Sequence, residues 1–223
     1  MPDLSMKKNF YISKFHYITQ DLKDVTHQEL IQVACENKVD WIQLRVKNKS
    51  SDEFLKIAEK SLAICRKSGV RLIINDSTEI TAEINADGVH LGKTDMKPSE
   101  ARKVLGPDFI IGGTANTFED ILFLESERVD YIGLGPFRFT ETKENLSPVL
   151  GINGFAEIIG KCKEKNINIP VIAIGGIQAE DVRALLETGI YGIAVSSAVN
   201  LSDNPVSSLQ TFINLIKNST CTV

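Results

Sequence analysis

Residues 170–197 read PVIAIGGIQAEDVRALLETGIYGIAVSS, and this stretch contains the pattern that decides the fold. An apolar, β-branched run (Pro170–Gly175) is followed by hydrophobic residues at helical spacing (Ala179–Thr188), and a second apolar run (Gly192–Ser197) comes next. The helical spacing stops before Gly189, a residue type that commonly terminates helices. The stretch therefore predicts a strand, a helix and a second strand in succession.

The same alternation continues along the whole chain. The eight strand candidates are His16–Thr19, Asp40–Val46, Arg71–Asn75, Gly88–Gly92, Phe109–Thr114, Tyr131–Gly135, Pro170–Gly175 and Gly192–Ser197. The helical candidates are His27–Glu36, Asp52–Lys67, Pro98–Leu105, Phe118–Glu127, Gly154–Lys165, Ala179–Thr188 and Pro205–Lys217. Eight strands with helices between them indicate an α/β protein built from repeated strand-helix units.

The strands are continuous apolar runs, as expected in a parallel sheet that helices cover. An open doubly wound sheet would carry a glycine-rich fingerprint after its first strand, and residues 19–24 (TQDLKD) contain no glycine. We therefore predict a (β/α)8 TIM barrel in a single domain over residues 1–223, with residues 1 to about 10 as a disordered N-terminal extension.

Composition limits the classes of partner. Of the 223 residues, 43% are hydrophobic and 24% charged, as in ordinary folded proteins. Lys and Arg number 25 against 29 Asp and Glu, so the net charge of −4 argues against nucleic acid or an anionic membrane as a partner. Without an apolar stretch long enough for a bilayer or a signal-peptide pattern, a cytoplasmic location is expected. The four cysteines lack the spacing of a zinc site or a disulfide framework.

Polar residues gather at the predicted strand ends, where a barrel places its active site. Gln43, Arg45 and Lys47 alternate at the end of the second strand, so their side chains are expected on one side. One amide and two cations in that arrangement would bind a polyanion. The alternative is a solvent-exposed strand edge, because Lys and Arg are usually exposed.

Carboxylates follow the next two strands. Asp76 ends the third strand region and Asp95 follows the fourth. Mg²⁺ commonly takes one or two carboxylates together with phosphate oxygens of a substrate, so this pair next to the cations predicts a metal–pyrophosphate site. Taken singly, Asp76 could instead cap the following helix, and Asp95 could be a turn residue before Pro98.

The second half of the barrel predicts a phosphate site. Gly175-Gly176-Ile177 follows the seventh strand and Ser196-Ser197-Ala198 the eighth, the usual position of a barrel phosphate cradle. The loop from Gly135 to Lys143 is longer than ordinary strand-helix loops and is predicted to be a lid or binding loop.

No side chain in these positions is an obvious nucleophile or general base. His90 lies inside the fourth strand and is expected to be a packed core residue, as is Trp41 in the second. A site with Mg²⁺ and cations but no nucleophile fits departure of pyrophosphate from a substrate that can carry positive charge.

With these motifs the sequence resembles the thiamine-phosphate synthase (thiamine-phosphate pyrophosphorylase) family. The motifs that carry the resemblance, in the family's order and approximate spacing, are QLRVK (43–47), IINDSTEI (73–80), ADGVHLGKTD (86–95), YIGLGPFRFTETK (131–143), PVIAIGGI (170–177) and GIAVSSAV (192–199). The resemblance implies a transferase that joins 4-amino-5-hydroxymethyl-2-methylpyrimidine diphosphate to a thiazole phosphate, with Mg²⁺ as cofactor and release of pyrophosphate. A homo-oligomer is compatible with the resemblance.

The resemblance also implies roles for individual residues. The residues implied to bind the pyrimidine diphosphate are Gln43, Leu44, Arg45, Val46, Lys47, Asn75, Thr114 and Lys143, of which Arg45, Lys47 and Lys143 are the catalytic cations. The implied Mg²⁺ ligands are Asp76 and Asp95. The implied thiazole-phosphate contacts are Thr140, Glu141, Thr142, Gly176, Ser196 and Ser197.

Two positions depart from the family pattern. Asn116 stands where a histidine usually follows the fifth strand, and Lys93 replaces a frequent glutamine and is expected to add positive charge beside the metal site. A thiazole tautomerase-like isomerase of the same superfamily is the nearest alternative, but it uses that histidine. A non-catalytic phosphate-ligand sensor would not need both carboxylates, and an unrelated phosphate-binding barrel isomerase would leave the cationic cluster unused.

Overall fold

The structure, a computed structural model, describes residues 10–139 and 148–219. Eight parallel strands pair in sequence order, β1 to β8, and β8 pairs with β1 to close a barrel. The strands are β1 Phe15–Ile18, β2 Trp41–Leu44, β3 Arg71–Asn75, β4 Gly88–Leu91, β5 Ile110–Ala115, β6 Tyr131–Leu134, β7 Val171–Ile174 and β8 Gly192–Val195. The predicted single-domain (β/α)8 barrel is confirmed, and the proposed extension before residue 10 lies outside the described residues.

Helices cover the outside of the barrel. They are α1 His27–Glu36, α2 Ser51–Ser68, α3 Thr78–Ile84, α4 Pro98–Leu105, α5 Phe118–Ser126, α6 Gly151–Glu164, α7 Val182–Glu187, α8 Ser197–Asn200 and α9 Pro205–Ser219. Among the described residues, none of these helices combines the length and apolar character needed to span a membrane. Cys35, Cys65 and Cys162 are free thiols.

Several element boundaries differ from the predictions. α6 begins three residues before the predicted Gly154, and the predicted helix Ala179–Thr188 divides into a 3₁₀ turn (Ala179–Asp181) and α7. α3 and α8 were not among the predicted helices, because seven and four residues are too short to show a helical repeat. α1 begins as predicted, since Thr26 and Glu29 form a capping box there.

The amino-terminal half of the barrel interior is filled by aromatic rings. Trp41, fully buried as predicted, stacks on His16 with ring centroids 4.4 Å apart and meets Tyr131 edge-on at 5.5 Å. Burial lowers the pKa of His16 to about 3, so its ring is neutral. Gly112 makes room for these rings, because a Cβ there would lie 2.2 Å from the Tyr131 ring. Barrel enzymes place their active site at the other end, where the strands have their carboxyl ends.

A buried ion pair supports the amino-terminal end of β6. Arg102 Nη2 lies 2.6 Å from Asp130 Oδ2, which also accepts a hydrogen bond from Ile111 N at 2.8 Å. The Asp130 side chain is only 4% exposed. Asp130→Ala leaves Arg102 Nη2 and the buried Ile111 amide without their acceptor, so we expect the free energy of unfolding to fall by about 3 kcal/mol in urea titrations.

The matched control for this prediction is Glu157→Ala on α6, which removes an ion pair with Lys161 (2.7 Å) whose side chains are largely exposed. We expect the unfolding midpoint of that variant to stay within error of the wild type. Equal losses in the two variants would contradict the role assigned to burial.

Candidate active site

The segment after β2 is held by side chains from the end of β1. β2 ends at Leu44, two residues earlier than predicted. Beyond it, Arg45 N donates to Thr19 Oγ1 at 3.1 Å and Lys47 N donates to Asp21 Oδ2 at 2.8 Å. Backbone groups that would continue a strand ladder are therefore satisfied by side chains, and both cations lie at the carboxyl end of the barrel.

Buried amides line the adjoining part of the mouth. Gln43 Nε2 donates to Asn75 Oδ1 at 2.8 Å, which links the ends of β2 and β3. The side chains of Leu44 and Val46 instead pack in the hydrophobic layer between barrel and helices. A substrate at this end could therefore meet these two residues only through their backbone.

Lys47, Asp76 and Asp95 form the charged cluster of the site. Lys47 Nζ lies 2.5 Å from Asp76 Oδ2. Asp76 follows β3 with a left-handed backbone (φ 68°), a conformation that Asp tolerates better than most residues. Asp95 Oδ2 accepts from Gly92 N at 2.6 Å. The structure thus brings together the predicted lysine and both predicted carboxylates.

The structure excludes the alternative role of Asp76 as a helix cap and supports the alternative role of Asp95 as a turn residue. Asp76 does not cap α3, because Ser77 is the N-cap and its hydroxyl accepts from Ile80 N at 3.2 Å. Asp95 does stabilise the turn after β4, through its bond from Gly92 N. That bond occupies one carboxylate oxygen, so the turn and a ligand role are compatible.

The electrostatics of the pair suit a divalent cation. Burial, and then the neighbouring Asp76 carboxylate, raise the pKa of Asp95. Two carboxylates this close repel each other, and oxygen donors in such a pair are what Mg²⁺ takes when a substrate phosphate completes its shell. Within residues 10–139 and 148–219 no group of three or more His, Cys, Asp or Glu could hold a metal by itself.

His90 connects strands β4, β5 and β6 below the mouth. Its Nδ1 lies 3.0 Å from Tyr131 Oη and its Nε2 lies 3.0 Å from Thr114 Oγ1. Both ring nitrogens have partners and the residue is buried, in line with the predicted core role. The Thr114 hydroxyl, an implied diphosphate contact, is therefore already oriented by an imidazole.

The two residues that depart from the family pattern are both engaged elsewhere. Lys93 Nζ lies 2.6 Å from Asp120 Oδ2 at the start of α5, so its charge is paired there and is not added to the carboxylate pair as expected. Asn116 N also donates to Asp120 Oδ2 at 2.8 Å, and the Asn116 carboxamide donates to Gly135 O. Asn116 therefore joins the ends of β5 and β6.

Across the mouth, β7 and β8 end at the residues that are predicted to bind a phosphate. Gly175 and Gly176 have φ values of 101° and 68°, and a Cβ on Gly176 would meet Phe139 O at 3.0 Å. Ser196 precedes α8 and Ser197 begins it. These residues lie across the barrel from Asp76 and Asp95, so the mouth has two separate polar regions. Thr140, Glu141, Thr142 and Lys143 lie outside the described residues.

Sequence reasoning missed the contribution of the segment after β1. Thr19, Asp21 and His27 form the network behind Arg45 and Lys47. The sequence predicts Thr19 as the last residue of the first strand and indicates no role for Asp21. One sequence signal could have indicated this role. Thr19 and Asp21 alternate directly after β1, as Arg45 and Lys47 do after the neighbouring strand β2, so both pairs are expected at the same end of the barrel.

Comparison with known proteins identifies relatives over most of the chain. A family model described as thiamine monophosphate synthase matches residues 15–199. A thiamine-phosphate synthase of Bacteroides fragilis is 45% identical over 199 residues, covering 89% of this chain and 98% of the relative. A thiamine-phosphate synthase of Flavobacterium psychrophilum is 50% identical over 194 residues, covering 86% and 94%.

A solved structure shows the same architecture. Thiamine phosphate pyrophosphorylase from Pyrococcus furiosus superposes with a TM-score of 0.81 at 29% identity, covering 92% of this chain and 96% of that one. The similarity in fold and sequence therefore extends over nearly the full length of both chains.

Proposed function

The chain belongs to the thiamine monophosphate synthase family and is a transferase that makes thiamine phosphate, and we propose that it does so by a dissociative substitution at the Lys47–Asp76–Asp95 cluster. The proposed substrates are the small molecules 4-amino-5-hydroxymethyl-2-methylpyrimidine diphosphate and a thiazole phosphate. The carbon–oxygen bond to the diphosphate breaks first, and its electron pair leaves with pyrophosphate. The thiazole nitrogen then donates its lone pair to the methylene carbon.

The observation that carries this proposal is the juxtaposition of an ammonium with two carboxylates, one of them with a raised pKa. Such a cluster suits a metal-bound diphosphate better than a neutral ligand, because the anion would pair with Lys47 while the carboxylates hold the cation. Arg45, whose backbone is fixed beside it, supplies the second positive charge for the leaving group.

Asp76 and Asp95 are the residues that would hold Mg²⁺. When bound there, Mg²⁺ would neutralise charge on the departing pyrophosphate. Lys47 and Arg45 would bind its remaining oxygens, and Lys143 is proposed as a third cation. The buried amides of Gln43 and Asn75 would orient the aminopyrimidine, whose ring delocalises the positive charge left on the methylene group.

The second polar region would hold the nucleophile. Gly176, Ser196 and Ser197 offer backbone N–H groups and hydroxyls to a phosphate monoester, and Thr140–Thr142 are proposed to complete that site. A phosphate fixed at β7 and β8 would place the thiazole nitrogen towards the methylene carbon held at β2 to β4. Binding both substrates in one geometry contributes to the rate, because the second step then needs no diffusional encounter.

Positional isotope exchange tests the order of bond breaking. The pyrimidine diphosphate is prepared with ¹⁸O in the bridge between the methylene carbon and phosphorus and is incubated with enzyme and Mg²⁺ without thiazole phosphate. We expect the label to move into non-bridging positions, because pyrophosphate returns to the cation through any oxygen of that phosphoryl group. A label that stays in the bridge, with rapid turnover once thiazole phosphate is added, would contradict the dissociative step.

We also propose that the reaction takes place in the cytoplasm, where phosphorylated intermediates are retained, and that the enzyme acts as a homo-oligomer. Cell fractionation and light scattering test these two statements. A membrane fraction carrying the activity, or an active monomer, would overturn them respectively.

A further inference from the structure

We propose that His27 is a positioning residue that fixes the backbone of Arg45 and Lys47 by holding Thr19 and Asp21. This inference rests on the proposed function, because it assigns His27 to the binding of the diphosphate. His27 is the first residue of α1, and its two ring nitrogens contact Thr19 and Asp21. These two side chains connect it to Arg45 and Lys47.

The connections form two parallel chains of hydrogen bonds. His27 Nδ1 lies 2.8 Å from Thr19 Oγ1, which accepts from Arg45 N at 3.1 Å. His27 Nε2 lies 3.0 Å from Asp21 Oδ1, while Asp21 Oδ2 accepts from Lys47 N at 2.8 Å. One imidazole therefore orients the side chains that accept hydrogen bonds from the backbone amides of Arg45 and Lys47.

Donor and acceptor counting shows that the network is complete. A carboxylate only accepts, so Nε2–H donates to Asp21, and in the tautomer that carries its hydrogen on Nε2 the other ring nitrogen, Nδ1, is an acceptor. Thr19 Oγ1 can then donate its hydroxyl hydrogen to Nδ1 while it accepts from Arg45 N. Every polar atom in the two chains has a partner in this tautomer, with His27 and Thr19 themselves buried.

The network matters because the ladder of β2 stops at Leu44. From that point the position of the chain depends on Thr19 and Asp21, and Asp21 has a partly exposed side chain (36%) that would otherwise be free to rotate. A histidine donating to one carboxylate oxygen holds the other towards Lys47 N. Loss of the comparable contact behind a metal ligand lowers affinity or activity about 10- to 100-fold, and we take that range as the scale here.

The test compares His27→Ala with His27→Gln and with Ile31→Val. Glutamine retains an N–H that can donate to Asp21, and Ile31→Val removes one methylene from a fully buried residue one turn later on the same helix. For each variant we would measure the Kd of inorganic pyrophosphate with Mg²⁺ by calorimetry, the KM for each substrate, and the Tm.

We expect His27→Ala to weaken pyrophosphate binding and raise the KM for the pyrimidine diphosphate by about 10-fold or more, with the KM for thiazole phosphate within about twofold of wild type. His27→Gln should bind pyrophosphate more tightly than His27→Ala. Ile31→Val should lower the Tm but leave pyrophosphate binding and the KM for the pyrimidine diphosphate unchanged. Equal effects on both substrates, no recovery with glutamine, or the same losses in Ile31→Val would overturn the positioning role. A wild-type enzyme that binds pyrophosphate but makes no thiamine phosphate would overturn the proposed function instead.

Discussion

Asp76→Asn is expected to lower the rate of thiamine phosphate formation by about 1,000-fold, the scale seen when one strong electrostatic contact to a developing charge is lost. The amide removes the negative charge that pairs with Lys47 at 2.5 Å and that we propose for Mg²⁺. A steady-state assay of pyrophosphate release measures the effect.

Asparagine is the informative replacement because of the backbone at this position. Asp76 has a φ of 68°, and asparagine adopts the left-handed region about as readily as aspartate. Alanine would add strain to the loss of charge. The Lys47–Asp76 pair is also partly exposed, with side chains 42% and 34% accessible, so its removal should change stability little.

Asp130→Ala is the matched control, since it removes a carboxylate at the opposite end of the barrel. We expect it to lose stability and to keep its kcat at 25 °C, the reverse of Asp76→Asn. A variant Asp76→Asn with activity within about tenfold of wild type would contradict the assignment of this carboxylate to the leaving group.

Gly88→Ala is expected to destabilise the barrel by more than about 4 kcal/mol, which is most of the stability of a protein at the low end of the usual range of about 5–15 kcal/mol. Gly88 begins β4 and is paired with Ile110 of β5. A Cβ there would lie 2.2 Å from Ile110 O and 2.7 Å from Ile110 Cβ, so the two strands would have to separate. Soluble yield and urea-induced unfolding measure the loss.

The same substitution at Gly160 should have the opposite sign. Gly160 lies inside α6, and a Cβ at this position would meet no atom within 4 Å. Alanine is more favourable than glycine in a helix interior by about 0.5–1 kcal/mol, so Gly160→Ala should raise the free energy of unfolding. A folded Gly88→Ala variant with the same stability as Gly160→Ala would contradict the close contact between β4 and β5.

The barrel could be predicted because each strand is an apolar run long enough to show its character, as β3 shows over Arg71–Asn75. The strand ends were harder to predict. The apolar pattern of β2 continues to Val46, but the ladder stops at Leu44 because Thr19 and Asp21 take over the backbone bonds. Such replacements depend on contacts between distant segments, which a local pattern does not contain.

The candidate site followed the same division. Because parallel strands all end at the same mouth, the sequence could predict two neighbouring pairs of side chains, Gln43 with Asn75 and Lys47 with Asp76. The direction of the Lys93 side chain, in the turn after β4, could not be predicted, because it is decided by the ion pair with Asp120 on α5. A sequence shows which charges reach the mouth, whereas their pairing depends on the three-dimensional packing.

The most direct test of the account is the identity of the products formed from both substrates and Mg²⁺. We expect mass spectrometry to detect thiamine phosphate and pyrophosphate in equal amounts, with no product when either substrate is omitted. Conversion of a thiazole carboxylate phosphate into its tautomer, with no pyrophosphate released from the pyrimidine diphosphate, would contradict the account.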